Sequence, residues 1–267
     1  MTLLLMTLFA GLLASIAGGL VGSYVVVKRI AFISGSIAHA VLSGMGLFLW
    51  LNRRFGIEWV TPLEGAVLAA ILSALIIGWA RLRYRDREDS IIAAVWALGM
   101  AVGILFVSLT PGYNVELLSF LLGNILWVAP KDLLILGGLD LIVLIICGLL
   151  HPKLLALCFD EQQARLQGIA VSRLYLLLLV LVALTVVLLV QMVGIVLVIT
   201  MLILPPTIAG LFTTRLSAMM GLAVILGVLF SAAGIGLSFL LDWPTGATIA
   251  LCAGLVYLFS LPLQKRA

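Results

Sequence analysis

Nine apolar stretches follow one another along this chain, at 4–26, 31–51, 62–82, 90–110, 132–150, 172–191, 193–212, 218–240 and 245–263. A helix needs about 20 consecutive apolar residues to cross the hydrocarbon core of a bilayer, and every backbone polar group must then be bonded within the segment because no water is there to serve it. The succession predicts an all-α, polytopic transmembrane bundle of eight or nine spans. The count stays open because the turn between Gln191 and Gly194 is very short. Composition agrees, with 64% hydrophobic residues, 10% charged residues and a mean hydropathy of +1.34, outside the range of a soluble domain. The first run has neither a basic leader nor a small-residue cleavage site, so it is expected to remain as a helix and not to act as a signal peptide. A further segment, 113–130, is apolar but short and ends at Pro130, which suits a re-entrant or interfacial element better than a span.

Orientation follows from the loops, because cytoplasmic loops collect lysine and arginine. With the N-terminus outside, twelve basic residues fall inside: Lys28, Arg29, Arg81, Arg83, Arg85, Arg87, Lys153, Arg165, Arg173, Arg215, Lys265 and Arg266. Only Arg53, Arg54 and Lys131 fall outside. The asymmetry predicts a cytoplasmic C-terminus. The net charge of +4 is thereby a topology signal with a general attraction to anionic lipid headgroups, and nucleic acid is not expected as a partner. Cys147, Cys158 and Cys252 lie far apart without metal-knuckle spacing, and indicate neither a disulfide framework nor a zinc site.

Small residues four apart let helix backbones approach closely in lipid. Such ladders occur as Gly11, Ser15, Gly19 and Ser23 in the first run, Gly99 and Gly103 in the fourth, Gly227, Ser231, Gly234 and Ser238 in the eighth, and Gly246, Ala250 and Gly254 in the last. They predict tight helix packing.

Against this background, ISGSIAHAVLSG at 33–44 places His39 inside a span. At helical spacing its stripe contains Gly35, Ser36, Leu42, Ser43 and Gly46, so His39 is expected to face protein or a water-filled cavity. An ionisable group at that depth is costly and marks a functional site; the alternative is a buried neutral imidazole bonded to a serine or carbonyl. Neutral imidazole is also a common ligand for transition metals. Asp140, in LGGLDLIVLI, is either an interhelical hydrogen-bonding residue or part of a pathway. Glu64 opens the third span, where the helix dipole favours a carboxylate, and it is the third candidate metal ligand. Glu116 and Asp132 are expected to be solvated.

The seventh run, GIVLVITMLILPPTIAGLF, contains Pro205 and Pro206. Two prolines in succession remove two helical hydrogen bonds, which predicts a kink and freed carbonyls near Met201 and Leu202; broken helices of this kind line cavities in transporters. The longest cytoplasmic loop, 151–173, carries a polar segment suited to a short interfacial helix that docks on a cytoplasmic partner. No GxxxxGK[ST] phosphate cradle, GxSxG or HExxH occurs, so neither an ATP site nor an enzymatic site is expected.

VVVKRIAFISGSIAHAVLSG, FDEQQARLQG and VGIVLVITMLILPPTIA together resemble the permease subunit of binding-protein-dependent ABC importers for zinc, manganese or iron, over essentially the whole length. The resemblance implies a type II-like importer fold forming a single permease domain over 1–267, with 151–173 as the coupling loop. Asp160, Glu161, Ala164, Arg165 and Gly168 then stand at positions of the segment that enters a cleft of a separate ATPase. It further implies a divalent metal as cargo and no bound cofactor. The implied partners are a second copy of the chain, an ATPase dimer, an extracytoplasmic binding protein and plasma-membrane lipid. The family's second-helix motif commonly reads Gly-Asp-x-Leu-Ser/Ala-His-Ala; here His39 and Ala40 match while Gly35 takes the place of the aspartate. An ABC permease for siderophore or cobalamin, and a secondary transporter, are the alternatives.

Overall fold

A computed structural model of the protein describes residues 2–57, 61–84, 88–111 and 130–263. Among these residues every regular element is a helix. The helices are α1 (Thr2–Val27), α2 (Ala31–Phe55), α3 (Pro62–Arg83), α4 (Glu88–Leu109), α5 (Pro130–Phe159), α6 (Glu161–Leu166), α7 (Val171–Phe212), α8 (Leu216–Leu241) and α9 (Thr245–Ser260), and a 3-10 turn follows at Leu261–Leu263. Among the described residues eight segments are long and apolar enough to cross a membrane, because α7 supplies two of them, Val171–Val190 and Gly194–Phe212. The ninth apolar run is the shorter α9. Large apolar side chains stand outward on these helices, Trp79 at 60% and Leu98 at 66% exposure among them, as expected when lipid is the solvent. The chain is a multi-pass membrane protein. The expected element at 113–130 and Glu116 lie outside the described residues.

The helices divide between two compact units. One holds α1, α5, α7 from Leu188 onward, α8 and α9; the other holds α2, α3, α4, α6 and α7 up to Val187.

In the first unit the predicted small-residue ladders pack against each other. α8 runs antiparallel to α1, so that Gly11 meets Ser231, Ser15 meets Gly227 and Gly19 meets Val224. Gly234 receives Ile249 of α9 in the same way, whereas Gly254 has nothing among the described residues within reach of an added Cβ.

The double proline does not break its helix. α7 remains helical across Pro205 and Pro206, and its backbone leaves helical geometry at Gly194 instead, with φ 78° and ψ 163°. Only glycine adopts such a conformation without strain. The prolines free the carbonyls of Met201 and Leu202 as expected, but those carbonyls face Gly18 and Gly22 of α1. A Cβ at Gly18 would stand 3.2 Å from the Met201 oxygen, and one at Gly22 would collide with the Leu202 oxygen. Glycine hydrogens point at both oxygens, which makes them weak donors to groups that would otherwise be orphaned.

The loop expected over 151–173 is also largely helix. α5 continues through Pro152 to Phe159, and α1 secures this extension. The Tyr24 hydroxyl and His151 Nδ1 share a hydrogen bond of 2.9 Å, and Lys28 Nζ donates to the Leu157 carbonyl at 2.6 Å.

In the second unit α2 lies along both α3 and α4. The α2–α3 crossing is a glycine-on-glycine contact, Gly44 against Gly65. The α2–α4 contact seats Ala40 on Gly99 and Leu42 on Gly103, with Gly46 close to the Gly103 carbonyl. α3 begins with a capping box, in which Glu64 N–H donates to Thr61 Oγ1 and Thr61 N–H donates to the Glu64 carboxylate at 3.1 Å. Thr61→Ala is expected to lower stability by about 1 kcal/mol, read as a lower unfolding temperature in detergent, without altering transport by the molecules that remain folded.

Candidate functional site

The small stripe of α2 turns inward as its spacing predicts, and Gly35, Ser36 and Ala40 are buried. Ser36 Oγ donates to the Ile92 carbonyl of α4 at 2.9 Å. One turn further along, the His39 imidazole lies flat on the Trp96 indole, with ring centroids 4.5 Å apart and planes 13° from parallel. Trp96 Nε1 donates to Met100 Sδ at 3.2 Å, which fixes the indole that supports the histidine.

His39 Nδ1 is buried without a hydrogen-bond partner among the described residues. The serine-bonded imidazole is thus not the arrangement here, since Ser36 bonds to α4 and Ser43 Oγ donates to the Ala40 carbonyl of its own helix. A buried ring nitrogen left unserved costs free energy unless something else serves it, which suits a group that meets a passing ligand. Position 35 is open. Among the described residues a Cβ added to Gly35 would find only the Trp96 ring, at 3.9 Å.

Asp140 of α5 is 4% exposed, and both carboxyl oxygens lack a hydrogen-bond partner among the described residues. The backbone of Ala17 on α1 approaches the carboxyl group. Glu64 differs, because its exposed carboxylate is spent on the cap of α3. Among the described residues no group of three histidine, cysteine, aspartate or glutamate side chains converges; Asp140 belongs to the first unit, and His39 and Glu64 to the second.

The candidate coupling segment has an inner and an outer side. Ala164 is fully buried and Glu161 faces inward, where its carboxylate pairs with Arg81 of α3 at 3.4 Å. Asp160, Gln162, Gln163, Arg165, Leu166, Gln167 and Gly168 are exposed, with Leu166 at 85%. Ala164 therefore anchors α6 to its own chain, and Glu161 is engaged there as well; Asp160 and Arg165 are exposed. Gly168 takes φ 77° and closes α6 as a left-handed cap, with Gly168 N–H donating to the Arg165 carbonyl and Ile169 N–H to the Ala164 carbonyl, each at 3.0 Å. This is the helix stop that glycine serves best.

Trp96 and Arg81 are the residues that sequence reasoning missed. Trp96 was one aromatic in an apolar span, and Arg81 was one basic residue in the topology-setting run RLRYRDR.

Comparison with known proteins extends these findings. The family model described as the ABC 3 transport family matches residues 1–264. A Chlamydia pneumoniae protein named as a probable metal transport system membrane protein is 48% identical over 264 residues, covering 99% of this chain and 90% of that protein. The manganese transport system membrane protein MntC of Halalkalibacterium halodurans is 36% identical over 250 residues, covering 94% of this chain and 83% of the relative. Among solved structures, PsaBC from Streptococcus pneumoniae in complex with Fab superposes with a TM-score of 0.86 at 28% identity, over 100% of this chain and 94% of the matched one.

Proposed function

The chain belongs to the ABC 3 transport family, and from that membership we infer that it is the membrane-spanning permease subunit of an importer that moves divalent transition metal ions, zinc, manganese or iron, across the plasma membrane. The observation that carries the cargo is that relatives aligned over nearly the whole chain are named for metal or manganese transport. The chain holds no phosphate cradle of its own, so ATP is hydrolysed by a separate cytoplasmic ATPase dimer, and an extracytoplasmic binding protein delivers the metal to two copies of this chain.

Within this reading His39 is the transient ligand of the passing ion. Its unserved Nδ1 and its fixed ring plane support that role, because a metal takes imidazole nitrogen along a defined direction. Asp140 is a second polar station on the pathway, supported by its burial without a partner. The Glu64 carboxylate belongs to the architecture of α3. The cargo is substrate and passes through, so no resident cofactor is assigned.

The ATPase docks on the outer side of α6, where Asp160, Arg165 and Leu166 are exposed. Proline at position 168 can neither adopt φ 77° nor donate to the Arg165 carbonyl. Gly168→Pro is therefore expected to abolish permease-dependent stimulation of the co-expressed ATPase, measured as hydrolysis in liposomes with and without metal-loaded binding protein. Stimulation at the wild-type level in Gly168→Pro would remove this segment from the coupling interface.

A further inference from the structure

We propose that Arg81 is the positioning residue through which movement of α6 reaches the membrane-spanning helices, an inference that rests on α6 being the ATPase-coupling element. The geometry is that of a junction. Arg81 stands in the last turn of α3. Its guanidinium pairs with Glu161 at the start of α6 at 3.4 Å, donates to the Tyr175 hydroxyl at the start of α7 at 3.0 Å, and lies over the Tyr175 ring at 4.5 Å from the centroid. One side chain thus joins three helices of the same unit.

Each contact differs from an ordinary surface contact. The Arg81 and Glu161 side chains are 22% and 27% exposed, so solvent screens the pair less than a fully exposed one. Tyr175 is 2% exposed and cannot swing away. One turn further into the membrane Gly78 of α3 lies against Leu176 and Leu179, so α3 and α7 already touch where Arg81 bridges them. On α6 the inward stripe is Glu161 and Ala164, three residues apart, and Ala164 contributes only a methyl group. Arg81 therefore provides the directional grip on α6, and a planar guanidinium with donors along several edges can hold a carboxylate and a phenol at once while stacking on the ring. Lysine, with a compact ammonium, cannot satisfy all three.

The test uses the full complex of permease, ATPase and binding protein in liposomes and reads metal imported per ATP hydrolysed. Arg81→Ala is expected to leave the ATPase bound while the import-to-hydrolysis ratio falls about tenfold, within the usual range of coupling between sites; Arg81→Lys should fall between Arg81→Ala and wild type. The exchange Arg81→Glu with Glu161→Arg restores the pair and should recover the ratio relative to either single variant, a readout that a generally loosened fold would not give. An unchanged ratio in Arg81→Ala overturns the proposal. If Arg81→Ala does not fold, a charge exchange no better coupled than its single variants overturns it as well. Failure of the wild-type permease to bind any ATPase is a different result and would count against the family-based reading itself.

Discussion

His39→Ala is expected to reduce metal uptake by about 10- to 100-fold, the range seen even when only the groups that orient a metal ligand are removed, while the complex assembles normally. The expectation rests on two features that seldom occur together in a packed span. The ring is held in one plane by the Trp96 indole 4.5 Å away, yet its Nδ1 has no protein partner among the described residues. A histidine kept only for packing would be expected to find a serine or carbonyl, because an unserved buried nitrogen costs about 1–3 kcal/mol. Loss of the stacked pair itself costs about 0.5–1.5 kcal/mol, too little to unfold a bundle of this size. Assembly is read by size-exclusion chromatography with the ATPase, and uptake by metal content of the liposome lumen. Uptake at the wild-type level by an assembled His39→Ala complex would take His39 out of the pathway.

Gly22→Val is expected to lower stability by about 3 kcal/mol, the upper part of the range for overpacked sites. A side chain at position 22 would occupy the space of the Leu202 carbonyl oxygen and press on Pro206. The carbonyl cannot retreat into its own helix, because Pro206 has no N–H to receive it. Gly254→Val is the matched control, since nothing among the described residues lies within reach of a Cβ there. Yield of folded protein and unfolding temperature in detergent measure both. Equal behaviour of the two variants would mean that the α1–α7 contact does not hold the bundle together.

The contrast between those two glycines shows how far the sequence could be read. The apolar helices and the small-residue ladders follow from periodicity and composition, because in lipid a continuous apolar run has few ways to fold; that the ladder of α1 meets that of α8 is seen only in the structure. What meets the carbonyls freed by Pro205 and Pro206 did not follow. A proline pair is a local signal, but whether it bends a helix depends on what meets the freed carbonyls, and Gly18 and Gly22 stand nearly two hundred residues earlier in the chain. The actual break at Gly194 was visible only as an uncertain turn. The site divides in the same way. His39 stood out as a charge-capable residue in an apolar span, and Glu64 was recognisable as a helix-start carboxylate. Trp96 beneath His39 and Arg81 beside Glu161 are long-range pairings that no spacing encodes. The helical extension of α5 to Phe159 likewise depends on Tyr24 and Lys28 of α1.

The central claim is that this chain passes free metal ions only when a separate ATPase works. The most direct measurement is accumulation of zinc, manganese and ferrous iron in liposomes containing the permease with its ATPase and binding protein, with hydrolysable and non-hydrolysable ATP compared side by side. The account predicts accumulation of at least one of these ions, dependent on ATP hydrolysis and on the binding protein, without need of a chelator. Accumulation that proceeds without ATP and follows an ion gradient, or that requires the metal to arrive as a chelate, would contradict it.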